Sequence, residues 1–175
     1  STAIARELAL EGFELARVPW CAEAFTLADR SLRELQATAA ARRGALFVQG
    51  LSSQLAAVAL EPQPGERVLD LCAAPGGKTM QLAASGAQVV ALDLSQRRMT
   101  RLRDNLARVG LTAELVVGDA LDHQGRYDAI LLDAPCSATG TLRRHPDLPY
   151  VRDAAAVTEL VELQARMLDH ALGLL

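Results

Sequence analysis

Two stretches of this 175-residue chain set chemically able residues at close spacing. The first, DLCAAPGGKT from Asp70 to Thr79, puts Gly76 and Gly77 directly before Lys78. Adjacent glycines remove side chains where a ligand would approach the backbone, and a helix opening there presents N–H groups that have no intrahelical partner. The loop therefore suits a polar or anionic ligand, although a plain glycine turn between a strand and a helix uses the same residues. The second stretch, DAPCSATGTLRRHPD, sets the carboxylate of Asp133 just ahead of the Cys136 thiol and follows both with Arg143, Arg144 and His145. A lone thiol is either an inert small hydrophobe or a group turned into a cleft. The basic trio is either a solvated loop or a contact to a phosphate backbone, which holds nucleic acid without reading its sequence.

Two more acids fall between these stretches. Asp93 closes the apolar run QVVALD sixteen residues after Gly77, and Asp119 follows another apolar run in VVGDA. In a nucleotide-binding open sheet, a carboxylate at the first position accepts ribose hydroxyls, and the second is within reach of an adenine edge. Each aspartate taken alone reads as a cap or turn residue. Acids or loops at the ends of four successive strands form one crevice, which caps do not explain. Arg98 is the arginine expected nearest that crevice, with those at 97, 101 and 103 on solvated helix surface. A nucleoside triphosphatase is disfavoured, because GGKT would need a glycine where Cys72 stands to complete a phosphate-binding loop.

The elements that must position these residues are legible from periodicity. Before residue 61 they are short and scattered: a helix over 2–11, strands over 13–18 and 24–27, a helix capped by Ser31 running through LRELQATAAAR, an extended piece over 46–49, and a helix opened by Ser52 or Ser53 and ending near Leu60. EPQPGE at 61–66 reads as a linker. Strand and helix then alternate: strands over 67–71, 88–93, 114–117 and 127–132, helices over 78–84, 96–109 and 153–174, the last with Ala156, Leu160, Leu163, Met167 and Leu168 along one side. Such alternation implies parallel strands joined by crossover helices. The expectation is a doubly wound α/β sheet over 61–175 preceded by a small α+β segment over 1–60.

Bulk composition bounds the rest. Half the residues are hydrophobic but only 3% aromatic, so the core rests on Ala, Leu and Val. A net charge of −3 gives no global pull toward nucleic acid, so any RNA contact must be local. Cys21, Cys72 and Cys136 are odd in number and far apart, which fits neither a disulfide framework nor a metal site and points to a reducing cytoplasm. No run suggests a membrane span or a signal peptide. The start at Ser1 rather than Met reads as excision from something longer.

CAAPGGKT after a strand, a strand-terminal Asp93, GDA, and DAPCSATG with RRHPD together resemble the Sun/RsmB family of RNA cytosine-5 methyltransferases, whose bacterial members act on 16S ribosomal RNA. The resemblance is specific from about Val48 to Asp153 and weaker before it, where VPWCAEAFTL and LFVQGLSSQ look like lead-in segments. It implies a Rossmann-like domain that binds S-adenosyl-L-methionine, with RNA as partner. It assigns Cys72, Ala73, Ala74, Pro75, Gly76, Gly77 and Lys78 to the cofactor's methionine part, Asp93 to its ribose and Asp119 to its adenine. Asp133 would lie near the methionine amine and the target base, and Cys136 matches the Pro-Cys thiol that releases methylated RNA. The attacking cysteine of such enzymes stands in a Thr-Cys pair after the next strand. This sequence contains no Thr-Cys pair, and the helix ending at Leu175 is the one that would feed the missing strand, so the sheet is expected to be incomplete at its C-terminal end, and without the nucleophile this chain alone need not be active. Two alternatives stay open: a non-catalytic cofactor- or RNA-binding module, and a methyltransferase that uses Cys136 itself as nucleophile.

Overall fold

The strands that carry the site are apolar runs bounded by turn residues, and the two central ones are buried on both faces. In the computed structural model, which describes residues 2–28, 30–138, 140 and 154–175, they are β3 (Arg67–Leu71), β4 (Gln88–Asp93), β5 (Glu114–Val117) and β6 (Ala129–Leu132). All neighbours pair in parallel, in the order β5-β4-β3-β6. From β3 the chain steps outward to β4 and β5, then returns to β6 on the other side of β3. The direction of winding reverses there, and open α/β sheets bind ligands in the crevice outside such a reversal. Leu71 is in register with both Leu92 and Leu132, and Asp93 with Val117, so all four strands end along one edge.

Helices cover both faces. They are α4 (Leu51–Leu60), α5 (Gly77–Ala84), α6 (Gln96–Val109) and α7 (Ala154–Gly173). Alternate strand residues face opposite ways. Leu69, Leu71, Val90 and Leu92 pack with Met167 and Ala171 of α7 and with Leu174 just after it. On the other face Val68 and Val89 pack with Ala57 of α4 and Leu82 of α5, and Ala91 packs with Met80 of α5 and Met99 and Leu102 of α6. Asp70, alternating with Leu69 and Leu71, falls on this second face beneath α5. The helix α6 is fixed at both ends, by the Ser95 side chain accepting from the Arg98 N–H and by Gly110 in the left-handed conformation.

The preceding segment has its own small core of Leu8, Phe13, Leu35 and Ala40. It comprises α1 (Thr2–Leu10), an antiparallel hairpin of β1 (Leu15–Val18) and β2 (Cys21–Leu27), and two short helices, α2 (Leu32–Gln36) and α3 (Ala39–Arg42). The single helix expected from Ser31 onward is thus two. Ser31 caps the first in a capping box with Glu34, but Thr38 caps the second by accepting from the Ala41 N–H while its hydroxyl donates to the Leu35 carbonyl. A hydroxyl so engaged competes with helical continuation.

Three other boundaries differ from expectation. The helix α4 is capped by Gly50 rather than a serine. The strand β2 starts at Cys21, directly after the turn. Tyr127 lies before β6, because its N–H donates to the Leu174 carbonyl at 3.0 Å instead of joining the sheet. Leu168, assigned to the inner side of the last helix, is exposed, and Ala171 and Leu174 take that side. Arg143, Arg144, His145 and Asp147 lie outside the described residues. No helix among the described residues is long and apolar enough to cross a membrane.

Candidate cofactor crevice

The glycine loop leaves β3 and is held from several directions. The Ala73 N–H donates to the Leu92 carbonyl, and the Ala74 N–H to Asp93 Oδ2 at 3.1 Å. From α6, the Arg98 guanidinium donates to the Ala74 carbonyl and sits 3.4 Å from Asp93 Oδ2, and Asn105 donates to the Pro75 carbonyl at 3.1 Å. Gly76 has φ +103, and a Cβ there would fall 2.0 Å from Cδ1 of the fully buried Leu102. Only glycine meets both constraints.

Asp93 is buried, with Oδ1 accepting from the Ser95 N–H at 2.9 Å. It therefore ties the loop to the start of α6 while sitting at the tip of β4. Each carboxylate oxygen has two lone pairs, so these bonds leave acceptor capacity for a ligand hydroxyl. Next to it Leu94 is 73% exposed and Val117 is 43% exposed. Gly118 adds open space there, its N–H donating to the Asp93 carbonyl at 3.2 Å. Asp119 is exposed, one oxygen accepting from the Leu121 N–H. An exposed apolar pair flanked by two acids suits a flat, weakly polar ring attached to a polyol. Leu94 was missed by sequence reasoning; the signal was an apolar residue placed directly after a strand-terminal acid.

Across the strand reversal, Lys78 at the start of α5 meets Asp133 beyond the tip of β6, Nζ to Oδ2 2.5 Å. Asp133 also donates its N–H to the Leu71 carbonyl at 3.4 Å. Cys136, three residues on, is exposed, and the Pro135 carbonyl beside it accepts from Gln164 of α7 at 2.6 Å. Cys72 differs in kind. It has φ +65 and packs against the α7-side core, and burial, then the neighbouring Asp93 charge, raises its thiol to about 11. It is held as a neutral thiol.

The remaining acid of the loop, Asp70, is wholly buried. Its Oδ2 accepts from the Thr79 hydroxyl at 2.6 Å, and Oδ1 has no partner among the described residues. Burial pushes its carboxyl up to about 7, against the Thr79 hydrogen bond and Lys78, which lower it. Sequence reasoning quoted Asp70 and Thr79 only as the ends of a motif. A polar residue inside an otherwise apolar strand was the available signal.

A four-stranded parallel sheet clad on both faces, with a glycine loop and acids at the carboxyl ends of its strands, defines the class: a doubly wound, Rossmann-like methyltransferase fold. The particular lineage follows from comparison with known proteins. The model of the family described as 16S rRNA methyltransferase RsmB/F matches residues 57–175, and the chain belongs to that family. The ribosomal RNA small subunit methyltransferase B of Klebsiella pneumoniae is 42% identical over 178 residues, spanning 98% of this chain and 40% of that protein. A crystal structure titled PH0851 aligns with TM-score 0.87 at 31% identity, covering 98% of this chain and 40% of that one. NSun6 from Pyrococcus horikoshii with SFG aligns with TM-score 0.72 at 30% identity, covering 85% and 40%. The chain thus spans about two fifths of the length of these proteins.

Proposed function

We propose that this chain forms the S-adenosyl-L-methionine crevice of an enzyme that methylates C5 of a cytosine in RNA, with 16S ribosomal RNA as the substrate. The observation that carries this reading is the alignment of the glycine loop, Asp93, Asp119 and Asp133 along one sheet edge at the strand reversal. The names of the relatives support a ribosomal RNA substrate, and the ligand named with NSun6, an analogue of S-adenosylmethionine, supports the cofactor.

The residues fit such a cofactor. Leu94 and Val117 would flank its adenine, with Asp119 at the ring edge, and Asp93 would accept from the ribose hydroxyls. The loop from Cys72 to Lys78 would receive the methionine part, with Arg98 keeping the loop on Asp93. The cofactor supplies its methyl group as an electrophile on a sulfonium. Cytosine C5 is a weak nucleophile, and addition of a thiolate at C6 makes it electron-rich enough to take that methyl. The C5 proton must then leave before the thiolate departs. Asp133, held by Lys78 beside the crevice, would orient the base by accepting from its exocyclic amine. Cys136 would act in releasing the product.

A second reading, with Cys136 as the attacking thiol, is favoured by one fact: of the three cysteines, Cys136 is the one exposed at the crevice. Incubating the enzyme that carries this crevice together with a Thr-Cys strand with 16S ribosomal RNA and methyl-labelled S-adenosylmethionine, followed by nucleoside analysis, tests the function. Label in 5-methylcytidine is expected; label in any other nucleoside contradicts it. Cys136→Ala divides the two roles. Labelled RNA that stays bound to the variant marks a release thiol, whereas loss of all label marks the nucleophile.

A further inference from the structure

We propose that Asp70 takes part in cofactor binding through its own proton: its carboxyl is neutral in the free protein and ionises when the cationic methyl donor enters, so binding expels a proton. This rests on the crevice being an S-adenosylmethionine site and adds a specificity element to it.

The case begins with matched charges. Three carboxylates line the loop, Asp70, Asp93 and Asp133, and two cations face them. Lys78 of α5 is engaged by Asp133 at 2.5 Å, and Arg98 of α6 by Asp93 at 3.4 Å. Asp70 is left without a cation of its own, and the nearby Cys72 thiol adds no charge. Among the described residues its hydrogen bond comes from Thr79, and Oδ1 has no partner. A buried carboxylate in that position would bear a charge with one oxygen unsolvated, which costs far more than a neutral carboxyl does. Lys78 stabilises the ionised form from α5, while Asp133 beyond β6 and Asp93 at the end of β4 oppose it, and burial outweighs them all.

S-adenosylmethionine carries a sulfonium, an ammonium and one carboxylate, a net single positive charge. That is the charge the three acids and two cations lack. A cation arriving within a few ångströms of a buried carboxyl lowers its pKa, and the proton is released to solvent. The site is then fully charge-matched only when the cofactor is present.

Titration calorimetry of the chain with S-adenosylmethionine in two buffers of different ionisation enthalpy counts the protons. At about pH 6 the cofactor's amine is already protonated, and about one proton should be released per molecule bound; by about pH 9 the release should vanish. Asp70→Asn should bind with no proton release. Thr79→Val removes the bond that favours the ionised form, so its release should persist to higher pH. Binding with the same heat in both buffers, or unchanged release from Asp70→Asn, overturns the proposal. No binding in either buffer overturns the cofactor reading beneath it.

Discussion

Lys78 Nζ lies 2.5 Å from Asp133 Oδ2, joining the first turn of α5 to the tip of β6 across the point where the sheet reverses its winding. The two residues are 55 positions apart and meet because β3 and β6 are paired in register up to Leu71 and Leu132. Asp133 is half exposed, so the pair adds little to stability, on the order of 1 kcal/mol or less. Its importance is to orientation. In the enzyme that carries this crevice, Asp133→Asn and Lys78→Met should each lower methyl transfer by roughly 10²-fold or more while shifting the melting temperature little. Near-normal transfer by both variants would remove the pair from the mechanism.

Gly76→Ala should destabilise the fold. The substitution forces a side chain into φ +103 and against Leu102, which has no room to retreat. A loss of about 1–3 kcal/mol is expected. Chemical denaturation measures it, and a variant as stable as the parent would show that the loop can relax.

Buried Asp70 and half-buried His123 give opposite pH dependences. The folded carboxyl of Asp70 is raised from 3.8 to about 7 by burial, so its contribution is fully present below pH 3.8 and is lost as pH rises through 7. His123 is lowered from 6.5 by burial, then by His170 and Arg67, so its contribution is present above pH 6.5 and is lost as pH falls below it. Its Nε2 lies 2.7 Å from the Tyr127 hydroxyl, and its carbonyl lies 2.9 Å from His170 Nε2. Asp70→Asn should therefore gain stability relative to the parent as pH rises from 5 to 8, and His123→Gln should flatten the acid side. Parallel stability profiles for the parent and Asp70→Asn would show that the carboxyl is ionised throughout.

The three thiols should differ in reactivity. Brief alkylation at mildly alkaline pH followed by mass mapping should modify Cys136 first and Cys72 last, since Cys136 is exposed and Cys72 is raised to about 11 by burial and the Asp93 charge. Early labelling of Cys72 would place it in an open, electropositive setting instead.

How much of this was legible in sequence depended on whether local pattern or distant packing decided the outcome. The runs 67–71, 88–93, 96–109 and 114–117 form the expected elements with the expected limits, because apolar runs bounded by turn residues and a helix between Ser95 and Gly110 are locally determined. Their alternation also implied a parallel sheet, which the pairings show. Thr38 was opaque, since whether a hydroxyl caps a new helix or rides inside an old one depends on backbone geometry. The acids at the strand ends could be named individually. Their sharing of one edge needed the register, and the Lys78–Asp133 contact needed β6 to lie beside β3 rather than beside β5. Asp70 was hidden for a related reason: an acid within an apolar strand marks it in the sequence, but its burial comes from α5 closing over one face of the sheet, which only the fold shows.

The most direct test of the cofactor crevice is a binding titration of S-adenosylmethionine against the parent chain and Asp93→Ala. Asp93 holds the loop through the Ala74 N–H and the start of α6 through the Ser95 N–H, and in the proposed function it would accept from the ribose. The account predicts a single site in the parent and affinity at least about tenfold weaker in the variant, the loss of one or two hydrogen bonds to a charged acceptor. Absence of binding to the parent, or equal affinity in the two, would contradict it.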